Sequence, residues 1–225
     1  MGAEFVPLEP RGAPLFPGHS VRDNCSTPAG ARPRPRKTMT QNHYAITIAG
    51  IERDLPLFQV RPGLRIAVLN ILGDTALVQA AANSLAERLA DCDYDALVTP
   101  EAKSIPLAHA LSVATGKPYV VLRKSYKSYM GDALSTETRS ITTGLCQTLY
   151  LDAKDSAHVR NARVVLVDDV ISTGSTLEGM RDLMSKAGAR IAVEAAILTE
   201  GERDDWHGVV ALGHLPLFED APPPT

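Results

Sequence analysis

Two adjacent carboxylates, Asp168 and Asp169, stand between the apolar run Val164-Val165-Leu166-Val167 and the turn Ser172-Thr173-Gly174-Ser175-Thr176. These residue types bring three chemistries together in chain order. Paired carboxylates at a strand end suit sugar hydroxyls or a hydrated divalent cation. A turn rich in hydroxyls and glycine, leading into a helix, offers side-chain O–H and backbone N–H donors where the helix dipole favours an anion. A doubly charged phosphate fits that turn. Phosphate, diol and metal together describe a phosphorylated ribose. A Walker-type phosphate loop is disfavoured, since no Gly-Lys-Ser/Thr occurs, and a receiver domain is disfavoured because the acidic pair lies late in the chain.

Two further segments carry charge at matching places. Thr99-Pro100-Glu101-Ala102-Lys103-Ser104 joins a strand end to a helix start, a second anion-ready position on the same sheet edge. Leu122-Arg123-Lys124-Ser125-Tyr126-Lys127-Ser128-Tyr129 opens a polar connection that runs to Gly144 without an apolar face. A connection of that length in a compact domain is often a lid. Its cations suit an anionic ligand and its tyrosines suit a cover; an exposed β-hairpin with scattered charges is the alternative.

The elements that must position these residues follow from periodicity. A continuous apolar run such as residues 164–167 suits a strand buried on both faces of a parallel sheet. Residues 44–49 and 55–60 alternate as strands, and residues 65–72 form another apolar run. Helices are expected over residues 74–90, 104–115 and 177–187, and strands over 96–99, 119–122, 147–151, 163–167 and 191–198, the last closing the sheet. Strands alternating with helices imply right-handed βαβ units.

The chain has 225 residues, 44% of them hydrophobic, enough for one substantial α/β core. Its net charge of −3 does not advertise nucleic acid. Residues 1–38 carry Arg11, Arg22, Arg32, Arg34, Arg36 and Lys37 against Glu4, Glu9 and Asp23, and are rich in Pro and Gly. That composition predicts a disordered extension before a single domain over residues 39–225, and Met39 offers a second candidate start. Cys25, Cys92 and Cys146 lack metal-ligand spacing and read as reduced thiols of a cytoplasmic protein. Neither a membrane-spanning stretch nor a signal peptide is expected. The six histidines form no ligand pair and read as structural or solvated. Trp206 reads as a packing residue first, a base-stacking one second.

Over all thirteen positions from Val164 to Thr176 the chain resembles the binding motif for 5-phosphoribosyl-1-diphosphate (PRPP) of the type I phosphoribosyltransferases. The segment around Glu101-Ala102-Lys103-Ser104 resembles the pyrophosphate loop of the adenine-type enzymes, with Lys for Arg and Ser for Gly. Related loops carry a non-proline cis peptide, which would here fall at Ala102–Lys103. The start of the polar connection resembles the adenine-type flexible loop, and its Ser-Tyr pairs resemble the hypoxanthine type.

The resemblance implies a parallel sheet flanked by helices, with a small hood and a flexible lid. It further implies a purine enzyme, adenine type first, that joins a base to PRPP and releases diphosphate with Mg²⁺. Asp168 and Asp169 would grip the ribose hydroxyls directly or through metal-bound water, and Ser172, Thr173, Gly174, Ser175 and Thr176 would bind the 5-phosphate. Glu101, Ala102, Lys103, Ser104, Arg123, Lys124 and Lys127 would line the diphosphate, with Lys103 among the catalytic residues. Tyr126 and Tyr129 would cover the ribose from the lid. The base-contacting residues are not identifiable, and a homodimer is expected. The alternative is a PRPP-sensing regulator without turnover, although residues 1–38 are too short and proline-rich for the winged-helix module that such repressors carry.

Overall fold

The computed structural model describes residues 42–139 and 146–219. The expectations for residues 1–38 and for part of the polar connection, residues 140–144, lie outside them. The strands are β1 (His43–Ile48), β2 (Ile51–Arg61), β3 (Leu64–Ala67), β4 (Ala96–Pro100), β5 (Tyr119–Leu122), β6 (Leu134–Arg139), β7 (Cys146–Leu151), β8 (Arg163–Ile171), β9 (Arg190–Glu200), β10 (Val209–Leu215) and β11 (Phe218–Glu219). The helices are α1 (Thr75–Arg88), α2 (Ile105–Thr115), the short α3 (Ser156–Val159) and α4 (Ser175–Lys186). Among the described residues no helix is long and apolar enough to cross a membrane.

A five-stranded sheet in the order β10-β9-β8-β4-β5 has every pair parallel. Burial along β8 explains why its sequence is continuously apolar. Val165 and Val167 join one core with Leu77, Leu85, Leu107 and Leu111 of α1 and α2. Val164 and Leu166 join the other with Leu177, Met180, Leu183 and Met184 of α4. Both faces are covered, so alternate positions need no polar residue.

The helix ends are set by local chemistry. Asp74 caps α1, accepting from Leu77 N at 3.2 Å, and also takes Arg53 Nε and Nη2 of β2, each at 2.7 Å. This pairing ties the hood sheet, β1-β2-β3-β11, to the first core helix. Gly116 ends α2 at φ 69°, a conformation that favours glycine.

The structure departs from the sequence reading in four places. β8 continues past Val167 to Ile171, carrying the acidic pair within the strand rather than beyond it. β9 does not close the sheet, since β10 adds a parallel edge strand. β7 belongs to an antiparallel hairpin with β6, not to the parallel sheet, and β6 occupies part of the connection read as a lid, as the hairpin alternative had it. Residues 68–72 leave the strand and form the entry to α1, with Leu69 and Ile71 buried.

Candidate active site

Because β8, β4 and β9 run parallel, their C-terminal ends open on one edge, where open α/β sheets place ligands. β8 brings Asp168 and Asp169 there. Asp169 is buried, and its N–H donates to Asp168 Oδ1 at 2.8 Å. Asp168 is largely enclosed. Burial first, and then the neighbouring Asp169 charge, push its carboxyl up to about 7. Two acids so placed favour an incoming cation or hydroxyl donors over both standing ionised alone.

The turn after β8 is held from below. Gly174 takes φ 77° as the residue before α4, and a Cβ there would come within 2.9 Å of Trp206 Cη2. Trp206 donates Nε1–H to Glu200 O at 2.9 Å and packs against the α4 core, which bears out packing as its first role. A hollow of about 80 Å³ is lined by Asp168, Val170, Ile171, Leu177 and residues 172–176. The acid that would meet a diol and the donors that would meet a phosphate therefore face one space. Ser175 Oγ lies 3.2 Å from Thr173 Oγ1, leaving the exposed Ser172 and Thr173 at the rim.

The loop between β4 and α2 adds a cation. Its non-proline cis bond is Glu101–Ala102, one bond earlier than the resemblance places it. Lys103 Nζ lies 2.7 Å from Asp169 Oδ2 and donates to Leu69 O at 3.3 Å. Asp169 Oδ2 meets no hydrogen-bond donor besides that ammonium, so its charge is balanced by Lys103 alone. Ala102 is exposed on the loop, while buried Ser104 donates Oγ–H to Pro100 O at 3.0 Å and steadies the loop from within.

The other expected residues gather elsewhere. Glu101 Oε2 accepts from Arg123 Nε at 3.0 Å and from Lys124 N at 2.9 Å. The Lys124 N–H foremost, then the Arg123 guanidinium, hold the Glu101 carboxyl below its ordinary range despite opposing partial burial. Glu101 thus faces the root of the polar connection rather than the turn after β8. Arg123, Glu101 and Tyr129 line a separate hollow of about 570 Å³ with Ile105, Tyr119 and Asp152. Lys124, Lys127, Tyr126 and Tyr129 are exposed, and Tyr126 donates O–H to Gly131 O at 3.1 Å.

Sequence reasoning missed the end of β9. Glu200 is buried there and burial raises its carboxyl, while Thr199 Oγ1 lies 2.9 Å from His214 Nδ1. The signal was available in outline, because Thr199 and Glu200 directly follow the apolar run of the strand. A hollow of about 510 Å³ lies nearby, lined by Tyr44 of the hood, Glu202, Arg203 and His214.

Among the described residues no group of three or more His, Cys, Asp or Glu could hold a metal by itself. The adjacent carboxylates of Asp168 and Asp169, the latter now paired with Lys103, are of the type that would hold a hydrated Mg²⁺ whose remaining ligands arrive with a phosphorylated substrate.

A phosphoribosyl transferase domain model matches residues 68–206. The chain is 34% identical over 128 residues to a hypoxanthine/guanine phosphoribosyltransferase of Methanosarcina acetivorans, covering 57% of this chain and 64% of that protein. It is 32% identical over 157 residues to an adenine phosphoribosyltransferase of Pseudothermotoga lettingae, covering 67% of this chain and 89% of that protein. It is also 28% identical over 166 residues to the purine biosynthesis transcriptional repressor of Bacillus subtilis, covering 72% of this chain and 58% of that protein. These hypoxanthine/guanine relatives are matched over 56% to 65% of their own length. In three dimensions the adenine phosphoribosyltransferase of Giardia lamblia, solved with 9-deazaadenine, superposes with a TM-score of 0.60 at 19% identity, over 71% of this chain and 93% of that one. That of Thermoanaerobacter pseudethanolicus gives 0.59 at 21%, over 71% and 95%. These likenesses establish the fold. With that fold, and a family match running from the entry to α1 through the turn after β8 to Trp206, the chain belongs to the phosphoribosyl transferase domain family.

Proposed function

We propose that the protein is a purine phosphoribosyltransferase that joins a free base to C1′ of PRPP and releases diphosphate, with adenine as the first expected base. The observation that carries this reading is the shared hollow of Asp168 and residues 172–176 at the end of β8, with Lys103 beside Asp169. Family membership and purine-specific relatives of two kinds support it.

The chemistry asks the protein for position and charge more than for covalent work. C1′ gains cationic character as the diphosphate departs, so the ribose must be held while charge moves off it. N–H groups at the start of α4 and the hydroxyls of residues 172–176 hold the 5-phosphate. Asp168 and Asp169 orient the diol. Lys103 is the cation nearest the leaving group's expected place. Bound Mg²⁺ supplies charge neutralisation on the diphosphate, with Asp168 and Asp169 as its neighbours on the protein. The exposed segment after Arg123, with Lys124, Tyr126, Lys127 and Tyr129, closes over the ribose and excludes water, which competes with the base for C1′. A homodimer in the cytoplasm is the proposed working form.

Hypoxanthine or guanine as the base is the second reading, favoured by the archaeal relatives. A PRPP-sensing regulator is the third, favoured by the match to the Bacillus subtilis repressor. A panel of adenine, hypoxanthine, guanine and xanthine with PRPP and Mg²⁺, scored for diphosphate release, separates them. Release with one or two purines is expected. Protection by PRPP without release for any base would move the protein to the regulators.

A further inference from the structure

Lys103 has a partner that a bound substrate would also claim. Its ammonium lies 2.7 Å from Asp169 Oδ2, and the two side chains are 47% and 7% exposed. A carboxylate as buried as Asp169 is costly to leave without a counter-charge, whereas the lysine reaches it from a solvated position. Little besides this contact holds either group. Asp169 Oδ2 meets no other hydrogen-bond donor, and the ammonium's other contact is a long one to Leu69 O at 3.3 Å. The nearest carboxylate on its own loop, Glu101, is already engaged by Arg123 and by the Lys124 N–H. Nothing else on the loop competes for the ammonium.

We infer that Lys103 works from two stations, neutralising Asp169 in the free protein and passing to the diphosphate when the ribose diol and its metal take Asp169 over. This rests on the proposed PRPP site and adds an exchange of partners within it. In the free protein the ammonium stands where a cation would, so the metal is refused alone. Metal and PRPP are accepted together, because the diphosphate gives the displaced ammonium a second anion. After diphosphate leaves, Lys103 returns to Asp169 and closes the acidic pair to solvent cations.

Lys103→Met removes the charge and keeps the stem, and the residue's exposure leaves the core untouched. Mn²⁺ binding, followed by electron paramagnetic resonance without PRPP, reads the site independently of turnover. Wild-type protein is expected to bind Mn²⁺ weakly, Lys103→Met about tenfold more tightly or better, and Lys103→Met with Asp169→Asn weakly again. Lys103→Arg, which keeps the charge, should resemble wild type, and Lys103→Gln, which removes it, serves if the methionine variant folds poorly. In parallel, Lys103→Met should weaken PRPP binding with Mg²⁺ by about tenfold. Equal Mn²⁺ binding in wild type and Lys103→Met would overturn the exchange while PRPP still protects the wild type. Failure of PRPP and Mg²⁺ to protect the wild type against heat would overturn the site itself, and the exchange with it.

Discussion

The proposed phosphate turn, residues 172–176, and the polar connection that begins at Arg123 both leave the C-terminal end of a parallel strand, and both are rich in hydroxyls. They are built differently. The turn is seated on the Trp206 ring, locked by Gly174 at φ 77° and continued at once into α4. Among the described residues the connection is fastened at its two ends and, between them, chiefly at Met130. Arg123 exchanges backbone hydrogen bonds with Tyr150 at 2.9 and 2.8 Å, and its side chain is held by Glu101. At the far end β6 packs on α4, where Thr136 donates to Asp182 and Thr138 lies over Gly179. Between these ends Lys124, Tyr126, Lys127 and Tyr129 are exposed, Tyr129 at 69%, with buried Met130 as an internal anchor. A site that must hold phosphate in one geometry is preorganised, and a cover that must admit and release substrate keeps its contacts at its ends.

The comparison breaks most readily at Gly174. Gly174→Val puts a branched side chain at a positive φ and against Trp206, so PRPP with Mg²⁺ should lose its thermal protection entirely. Retained protection would place the phosphate elsewhere. The acidic pair comes next. Asp168→Asn and Asp169→Asn should each lower kcat by about 10²-fold or more, the scale for losing a charged group at the reacting centre, with little change in Tm. A drop in Tm that accounts for the lost turnover would make the pair structural.

A smaller effect sharpens the other half. Protease should cut residues 124–133 before the β6 strand in the free protein, and PRPP with Mg²⁺ should slow that cut several-fold. An unchanged rate would make the stretch ordinary surface loop. The smallest effect belongs to the fixed root. Glu101→Gln should cost about 0.5–1 kcal/mol in stability, since the pair is partly solvated, and should raise KM for PRPP more than it lowers kcat. The folded Glu101 carboxyl lies below its ordinary range. Its contribution is therefore present above the unfolded pKa and is lost only as pH falls through the folded one. Urea titrations of wild type and Glu101→Gln should converge in acid and differ at neutral pH.

This contrast also explains what the sequence made legible. The turn is determined by neighbours in the chain: an apolar strand, two acids, a glycine and a helix start, all within thirteen residues. The helices α1 and α2 were legible for the same reason, through Asp74, Ser104 and Gly116 at their ends. The β6 strand was legible only as the hairpin alternative to a lid, because Leu134, Thr136 and Thr138 have no apolar period and find their place through α4 and the bare surface of Gly179. β10 was missed because its apolar run gains meaning only as the neighbour of β9. The Lys103 partner was illegible because Asp169 lies sixty-six residues away along the chain, although the lysine itself was singled out.

The most direct measurement is diphosphate release from PRPP and Mg²⁺ with each of the four purine bases, run on wild type and on Asp169→Asn with Tm recorded for both. The expected result is release that depends on a purine, falls by about 10²-fold or more in Asp169→Asn, and leaves Tm nearly unchanged. Release with no base, or near-normal release from Asp169→Asn, would contradict the assignment of the β8 edge as the centre of a purine phosphoribosyltransferase.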